Sequence, residues 1–393
     1  MTELARTAIV YDWLDTEYGG AEWVIQTLMK AFPDADLVAA VADASCQWTK
    51  NRHVITTFLN QHAWIKNSRF LTALFSPMAF DALDLSQYNN IISVTSFVAK
   101  GVLTHPNQKH FSYILSQPRF AYRLKSSYLS QLPNWLQNIV TWLMQPITGY
   151  WQRYDLAAKF RPDKLIPLSL RVKKQLASTS PLPISDVCYP PIPPVSSTQT
   201  NTNPKLATQP YWLIVSRLVA YKNIPLAIEA AIELKQKLVI VGDGTDLAKL
   251  QLLAGQLGIT KKENQYLQTF FTDNQNKFIL FTKHISKKEL AQVYQQAKGL
   301  IAIGEEDFGL TPLEAAGYGV KSIINHLSGV AEVLPSPLAD HLHTISLKDL
   351  MSLMSAFDNP VANATNLKKI AQKFNPEQFI SYWKRLVNSA TNV

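Results

Sequence analysis

One pattern constrains this chain more than any other, and it occurs twice. Short apolar runs of strand length alternate with helix-spaced apolar stripes; the alternation stops at a proline-rich break and then restarts. Before the break, Thr7 to Tyr11 reads as a strand, Asp12 to Gly20 as a loop, and Ala21 to Phe32 as a helix through Ile25, Leu28, Met29 and Phe32. Strands follow at Asp36 to Val41, Asn90 to Thr95, His110 to Leu115 and Lys164 to Ser169, and a short helix at Leu170 to Ala177. Tyr189 to Pro210 mixes prolines with Ser, Thr and Asn and has no period, the mark of a linker. Beyond it, strands at Tyr211 to Ser216, Lys237 to Val241, Phe278 to Phe281 and Leu300 to Ile303 alternate with helices at Ile224 to Leu234, Asp246 to Leu257 and Lys287 to Gln296. Alternation of this kind predicts parallel sheets covered by helices on both faces.

The expectation is therefore α/β, with two Rossmann-like doubly wound domains at 1–190 and 211–375, joined by a linker at 191–210. A last helix over 376–388, with Phe379, Tyr382, Trp383 and Leu386 at helical spacing, is expected to pack back on the first domain. A length of 393 residues suits two cores, and 47% apolar with 17% charged residues excludes a disordered chain.

Charge narrows the partners. A net charge of +9 favours polyanions: nucleic acid, anionic headgroups or phosphorylated small molecules. The absence of a recognised nucleic-acid module speaks against the first. The two cysteines, Cys46 and Cys188, lie far apart without Cys-x-x-Cys spacing, which argues against a zinc site or a disulfide framework and suits a reducing compartment. His341-x-His343 reads as one face of a short strand, and no metal is expected. Met1 to Arg6 lacks a leader-like apolar run and no window holds 18 uninterrupted apolar residues, so the expected location is cytoplasmic.

From Gln131 the character changes. Leu136, Ile139, Val140, Leu143, Met144 and Ile147 form a helical stripe flanked by Trp135, Trp142, Tyr150 and Trp151, with Arg119, Arg123, Lys125, Arg153, Lys159 and Arg161 around it. Two readings fit: a core helix of the first domain, or an interfacial helix touching an anionic membrane peripherally from one side.

Three places could carry chemistry. At Tyr18-Gly19-Gly20-Ala21-Glu22, two glycines before a helix let a phosphate approach backbone N–H groups, though the same pair also makes an ordinary tight turn. Ser216-Arg217-Leu218-Val219-Ala220-Tyr221-Lys222-Asn223 supplies a guanidinium fork and a mobile ammonium, a combination suited to a diphosphate as well as to a solvated basic loop. The third is the run from Leu300 through Glu305, Glu306, Asp307, Phe308, Gly309, Leu310, Thr311 and Pro312 to Glu314, a strand-loop-helix corner. Here Thr311-Pro312-Leu313-Glu314 also fits a capping box, which would explain Glu314 without a ligand.

Taken together, these pieces resemble the retaining GT-B glycosyltransferases of the group-1, family 4 type, close to bacterial GDP-mannose-dependent mannosyltransferases. The resemblance rests on Asp12-Trp13-Leu14, Tyr18 to Glu22, Phe32 to Asp36, Ser96 to Gly101, Pro118 to Tyr122, Ser216 to Lys222, Val241-Gly242-Asp243-Gly244 and Glu305 to Glu314. It implies two domains facing across a cleft that holds the donor, a nucleotide sugar such as GDP-mannose or a UDP-hexose. Arg217, Lys222 and Glu306 would be catalytic: the two cations on the diphosphate, Glu306 on the hexose hydroxyls. Glu314 would meet the ribose. Gly19, Gly20, Gly242, Asp307, Phe308, Gly309, Leu310 and Thr311 would complete the donor site. No metal or other cofactor is implied; the acceptor would be a glycan or lipid-linked sugar, met on the side of Ser116, Gln117 and Arg119. One departure stands out: the family places a histidine where this chain has Leu115, which leaves a catalytically silent sugar-nucleotide binder as the alternative.

Overall fold

The apolar runs become the middle strands of two parallel sheets, buried on both faces as parallel sheets require. The computed structural model describes residues 6–17, 19–43, 46–50, 52–122, 133–180, 183–195, 210–257, 260–262, 278–358 and 361–391. Most of the proline-rich linker lies outside them. The chain divides into two compact units, Met1–Pro191 with Pro376–Val393, and Ile192–Asn375.

The first unit contains β1 (Thr7–Tyr11), α1 (Gly20–Ala31), β2 (Asp36–Ala39), β3 (Val54–Thr56), α2 (Ala63–Lys66), α3 (Arg69–Asp81), β4 (Asn90–Thr95), β5 (Lys109–Ile114), α4 (Arg119–Tyr122), α5 (Asn134–Ala158), β6 (Lys164–Pro167) and α6 (Leu170–Ala177). Its sheet runs β3-β2-β1-β4-β5-β6, all parallel, with Val10 paired to Val38 on one side and Ser93 on the other. This is the order of a doubly wound dinucleotide-type fold. The terminal helix, α13 (Pro376–Thr391), belongs to this unit. It packs against α1 and sets Phe379 and Trp383 against Tyr113 of β5, each with ring centroids 5.7 Å from it.

The second unit holds β7 (Tyr211–Val215), α7 (Ile224–Glu233), β8 (Lys237–Val241), α8 (Leu247–Leu257), β9 (Thr260–Lys262), β10 (Ile279–Thr282), α9 (Lys287–Gln296), β11 (Gly299–Ala302), α10 (Leu310–Gly317), β12 (Ser322–Asn325), β13 (Ala339–Leu342), α11 (Leu347–Ala356) and α12 (Val361–Gln372). Its sheet runs β13-β12-β11-β7-β8-β10-β9, again parallel throughout.

Helix α5 corrects the reading of its surroundings. Lys159 is not a surface cation: it is buried, its Nζ 2.9 Å from Asp155, whose other oxygen lies 2.8 Å from the equally buried Lys100. Tyr122 donates a third bond to Asp155 at 2.7 Å and Lys159 donates to Thr179 at 2.8 Å. Arg161 pairs with Asp81 and reaches the Gly101 carbonyl. These contacts bind the end of α5 to the segment after β4. Arg123 and Lys125 lie outside the described residues. No helix among the described residues is long and apolar enough to cross a membrane.

Candidate functional site

In an open parallel sheet, a crevice forms at the carboxyl ends where two neighbouring strands send their chains in opposite directions. In the second unit this occurs between β7 and β11, because β8 continues from β7 on one side and β12 from β11 on the other. The loops leaving these two strands are 216–223 and 303–309, so the topology brings the Arg217…Lys222 segment to the acidic corner.

The contact is direct. Lys222 Nζ lies 2.7 Å from Glu306 Oε1. Arg217, on the exposed side of the same loop, donates to the Tyr221 hydroxyl at 3.3 Å. Gly304 permits this approach: a Cβ there would stand 2.9 Å from Lys222 Cα and 3.0 Å from the Tyr221 carbonyl. Asn223, in the left-handed region at φ 55°, and Asn325 at the end of β12 both donate to the Ile303 carbonyl, at 3.4 and 3.3 Å. The end of β11 is thus held from both neighbouring strands.

The acidic turn has its own clamp, which sequence reasoning missed. Ser328 Oγ, buried after β12, donates to the Gly304 carbonyl at 2.9 Å and accepts from Glu306 N–H at 3.1 Å. Gly329 N–H donates to the Glu306 carbonyl at 3.1 Å and Val330 N–H to the Phe308 carbonyl at 2.8 Å. A side chain at Gly329 would collide with the Asp307 carbonyl. The backbone of Glu306 is therefore fixed while its carboxylate meets Lys222. The signal that could have revealed this was the Ser328-Gly329 pair in the loop that follows β12, the strand beside the corner.

The helix start differs from the expectation. α10 begins at Leu310, not after Thr311, and its N-cap is Gly309 at φ 101°, with no side chain bonded to the first turn. Glycine tolerates that left-handed backbone, and Pro312 fits the first turn because it has no N–H to satisfy there. The capping box is absent: Glu314 Oε2 instead accepts from Tyr294 of α9 at 3.0 Å. Burial raises the Glu314 carboxyl above its ordinary range, against the pull of that hydrogen bond. Ser216, Lys222, Glu306 and Thr311 line a small pocket floored by Ile214, Ile301 and Ile303. Phe308 is buried, its ring 6.3 Å from Phe374, and Asp307 is half-buried beside it. Gly242 adopts φ 138° where a Cβ would strike the Ser216 carbonyl, so it supports the same loop by packing.

In the first unit the equivalent crevice lies between β1 and β4. Buried Asp12 ties it together, accepting from Thr95 Oγ1 at 2.8 Å and from the N–H groups of Ser96, Phe97, Val98 and Ala99 at 2.7 to 3.0 Å. Gly19 is the N-cap of α1 and Gly20 its first residue; Tyr18 is outside the described residues. A side chain at Gly19 would collide with the Glu22 carboxylate, which accepts from Tyr11 at 2.9 Å. Packing therefore gives Gly19 a reason of its own. Beyond β5, Leu115 N–H donates to the Thr95 carbonyl at 2.8 Å, Ser116 is half-buried, and Gln117 donates to the Gln175 carbonyl at 2.9 Å and to Thr179 at 3.2 Å. Arg119 opens α4. His341 contacts the Leu334 carbonyl at 2.8 Å, and the His343 ring lies 4.7 Å from His326.

Residues 196–336, which include the whole corner, match the family model of Glycosyl transferases group 1. Sucrose-phosphate synthase from Thermosynechococcus elongatus superposes with a TM-score of 0.74 at 16% identity, covering 99% of this chain and 100% of that one. WaaG, a glycosyltransferase involved in lipopolysaccharide biosynthesis, gives 0.67 at 13% identity over 97% and 99% of the two chains. Anabaena HepE in complex with UDP-glucose gives 0.65 at 12% identity over 98% and 99%. The shared fold is GT-B. No curated protein sequence matches the chain.

Proposed function

We propose that this chain is a cytoplasmic glycosyltransferase that moves a hexose, mannose favoured, from a nucleotide-diphosphate sugar to a glycan or lipid-linked acceptor with retention of configuration. The observation that carries the reading is the Lys222–Glu306 pair at the crevice of the second unit, with Arg217 on the same loop and the segment inside the matched family region. The structure of HepE, of the same fold, holds UDP-glucose, which supports a donor of this class.

Glycosyl transfer needs negative charge stabilised on the departing diphosphate while the sugar becomes cationic. Arg217 and Lys222 carry that charge in this reading, without a metal ion. A diphosphate seated at the crevice competes with Glu306 for the Lys222 ammonium, which releases the carboxylate toward the hexose hydroxyls. No side chain caps the first turn of α10, and its N–H groups add partial positive charge on the donor side. The leaving phosphate takes the acceptor proton on the same face, so no protein base is required. Leu115, which offers no side-chain hydrogen bond, favours a second reading: donor binding without transfer, with activity appearing in Leu115→His.

Thermal stabilisation by a panel containing GDP-mannose, UDP-glucose and their nucleoside diphosphates tests the proposal. A donor at 100 times its dissociation constant stabilises by about 2.7 kcal/mol. Stabilisation by one donor, lost in Arg217→Ala, supports the reading; a panel without effect at millimolar concentration overturns it.

A further inference from the structure

Both cations of the loop after β7 touch one side chain. Arg217 donates to the Tyr221 hydroxyl at 3.3 Å, and the Lys222 ammonium stands 5.4 Å from the centre of the Tyr221 ring, close enough to be attracted to an aromatic face. The backbone braces this arrangement. Ala220–Lys222 form a short 3₁₀ turn, in which Lys222 N–H donates to the Val219 carbonyl at 3.1 Å and Asn223 N–H to the Ala220 carbonyl at 3.2 Å. Gly304 lets the turn lie against the end of β11, where a side chain would meet Lys222 Cα and the Tyr221 carbonyl. Tyr221 therefore projects from a fixed turn, whereas Arg217 is exposed and both cations sit on long, flexible stems.

We propose that Tyr221 is a positioning residue that sets Arg217 and Lys222 for one diphosphate, and so selects donors with two phosphates over donors with one. The inference rests on the glycosyl-transfer reading of this corner. Two like charges on one short loop repel, and free rotamers let them spread apart. The Tyr221 hydroxyl accepts from the guanidinium while the ring face attracts the ammonium, so a single neutral side chain holds both in place.

Glu306 does not supply this hold. It contacts only Lys222 of the two, at 2.7 Å, and in the proposed exchange it leaves that ammonium for the hexose. The ring contact survives the exchange, because it uses no acceptor oxygen that a phosphate would replace. Cations already placed lose less side-chain freedom when the ligand arrives. A diphosphate that bridges both cations gains from their spacing, and a monophosphate on one of them gains little.

The test is titration calorimetry of the full chain with UDP, GDP, UMP and GMP, using wild type, Tyr221→Phe and Tyr221→Leu, each with Arg217 and in the Arg217→Ala background. Tyr221→Phe keeps the ring and loses the hydroxyl; Tyr221→Leu loses both. Tyr221 is half-buried on a surface loop, so both variants should melt as the wild type does without nucleotide. The better-bound diphosphate should bind roughly threefold or more weakly to Tyr221→Phe, the order of one hydrogen bond, and roughly tenfold or more weakly to Tyr221→Leu. Its monophosphate should change by less than about twofold. In the Arg217→Ala background Tyr221→Phe should have no further effect, since the hydroxyl acts through Arg217, while Tyr221→Leu should keep the part that acts through Lys222. Unchanged diphosphate affinity in Tyr221→Phe, equal losses for diphosphate and monophosphate, or the same Tyr221→Phe loss with and without Arg217 overturns the proposal and leaves the donor reading standing. A wild type that binds neither diphosphate overturns both.

Discussion

Asp155→Asn removes one charge from a buried group of three and leaves its shape. In the native protein Asp155 is flanked by Lys100 at 2.8 Å and Lys159 at 2.9 Å, all buried, with Tyr122 donating at 2.7 Å. An asparagine can still accept from Tyr122, so the loss is electrostatic: two buried ammonium groups face a neutral amide. Breaking a buried pair in this way costs about 3–5 kcal/mol. A ceiling comes from the alternative, in which one lysine releases its proton; at pH 7 that costs about 4.6 kcal/mol for an ordinary lysine. The two figures agree. For a unit of this size each kcal/mol shifts the melting temperature by about 2–4 °C, so the transition of the first unit should fall by about 6–20 °C. Calorimetry across pH adds a second readout. Burial pushes the Lys159 ammonium below its usual range, with Asp155 opposing, so the penalty in the variant should shrink as pH rises toward 10 and the lysine is neutralised cheaply. Burial alone would raise the Asp155 carboxyl, but Lys100 and Lys159 outweigh it and hold it low. The wild-type contribution is thus present above the ordinary carboxylate range and lost as pH falls through the lowered value. A drop of less than about 2 °C at pH 7, or a penalty independent of pH, would refute the reasoning. Replacing all three residues by Met, Leu and Met should restore much of the stability.

Three further outcomes follow from the same geometry. Ser328→Ala removes two hydrogen bonds around Glu306, each worth about 1 kcal/mol; turnover should fall more than donor affinity, and Ser328→Thr should recover part of it, whereas equal loss of both would make the residue merely structural. Glu314→Gln should stabilise the protein at pH 7, because a carboxyl held above its ordinary value contributes fully below the unfolded value of 4.5 and loses that contribution as pH rises through the folded one; a melting temperature unchanged relative to wild type at pH 7 would count against this. Burial, followed by the charge of Arg161, lowers His110 from 6.5 to about 3, so its contribution is present above pH 6.5 and lost between there and about 3. His110→Phe should flatten the acid limb of the stability curve over that window, and an unaltered limb would remove His110 from the account.

Much of this was legible before any coordinates. Buried parallel strands need continuous apolar runs, and Thr7–Tyr11, Asn90–Thr95 and Lys237–Val241 match their readings because each run carries its own signal. Val54–Thr56 escaped notice because three residues are too short to show a period. The corner misled for a local reason: Thr311-Pro312 imitates a helix start, while the true cap, Gly309, depends on a left-handed backbone that sequence does not announce. Glu314 pairs with Tyr294 and Lys100 with Asp155 across long stretches of chain, and no spacing rule reports such partners. Lys321, just before β12, reaches Asp340 of β13 at 2.7 Å, a pairing visible only in the fold. The single stripe read for α5 divides on folding, because Met144 and Ile147 pack inward while Ile139 and Leu143 stay exposed, and spacing alone does not separate them.

The central claim is that the corner of the second unit transfers sugar from a nucleotide diphosphate. The most direct measurement is single-turnover release of nucleoside diphosphate from the stabilising donor, by wild type, Arg217→Ala and Glu306→Gln, each first verified to melt as the wild type does. Removing a group that stabilises charge in the transition state costs about 2.7–4 kcal/mol, or 10²- to 10³-fold in rate. The account predicts losses of that order in both variants, and turnover within a factor of about three of wild type in both would contradict it.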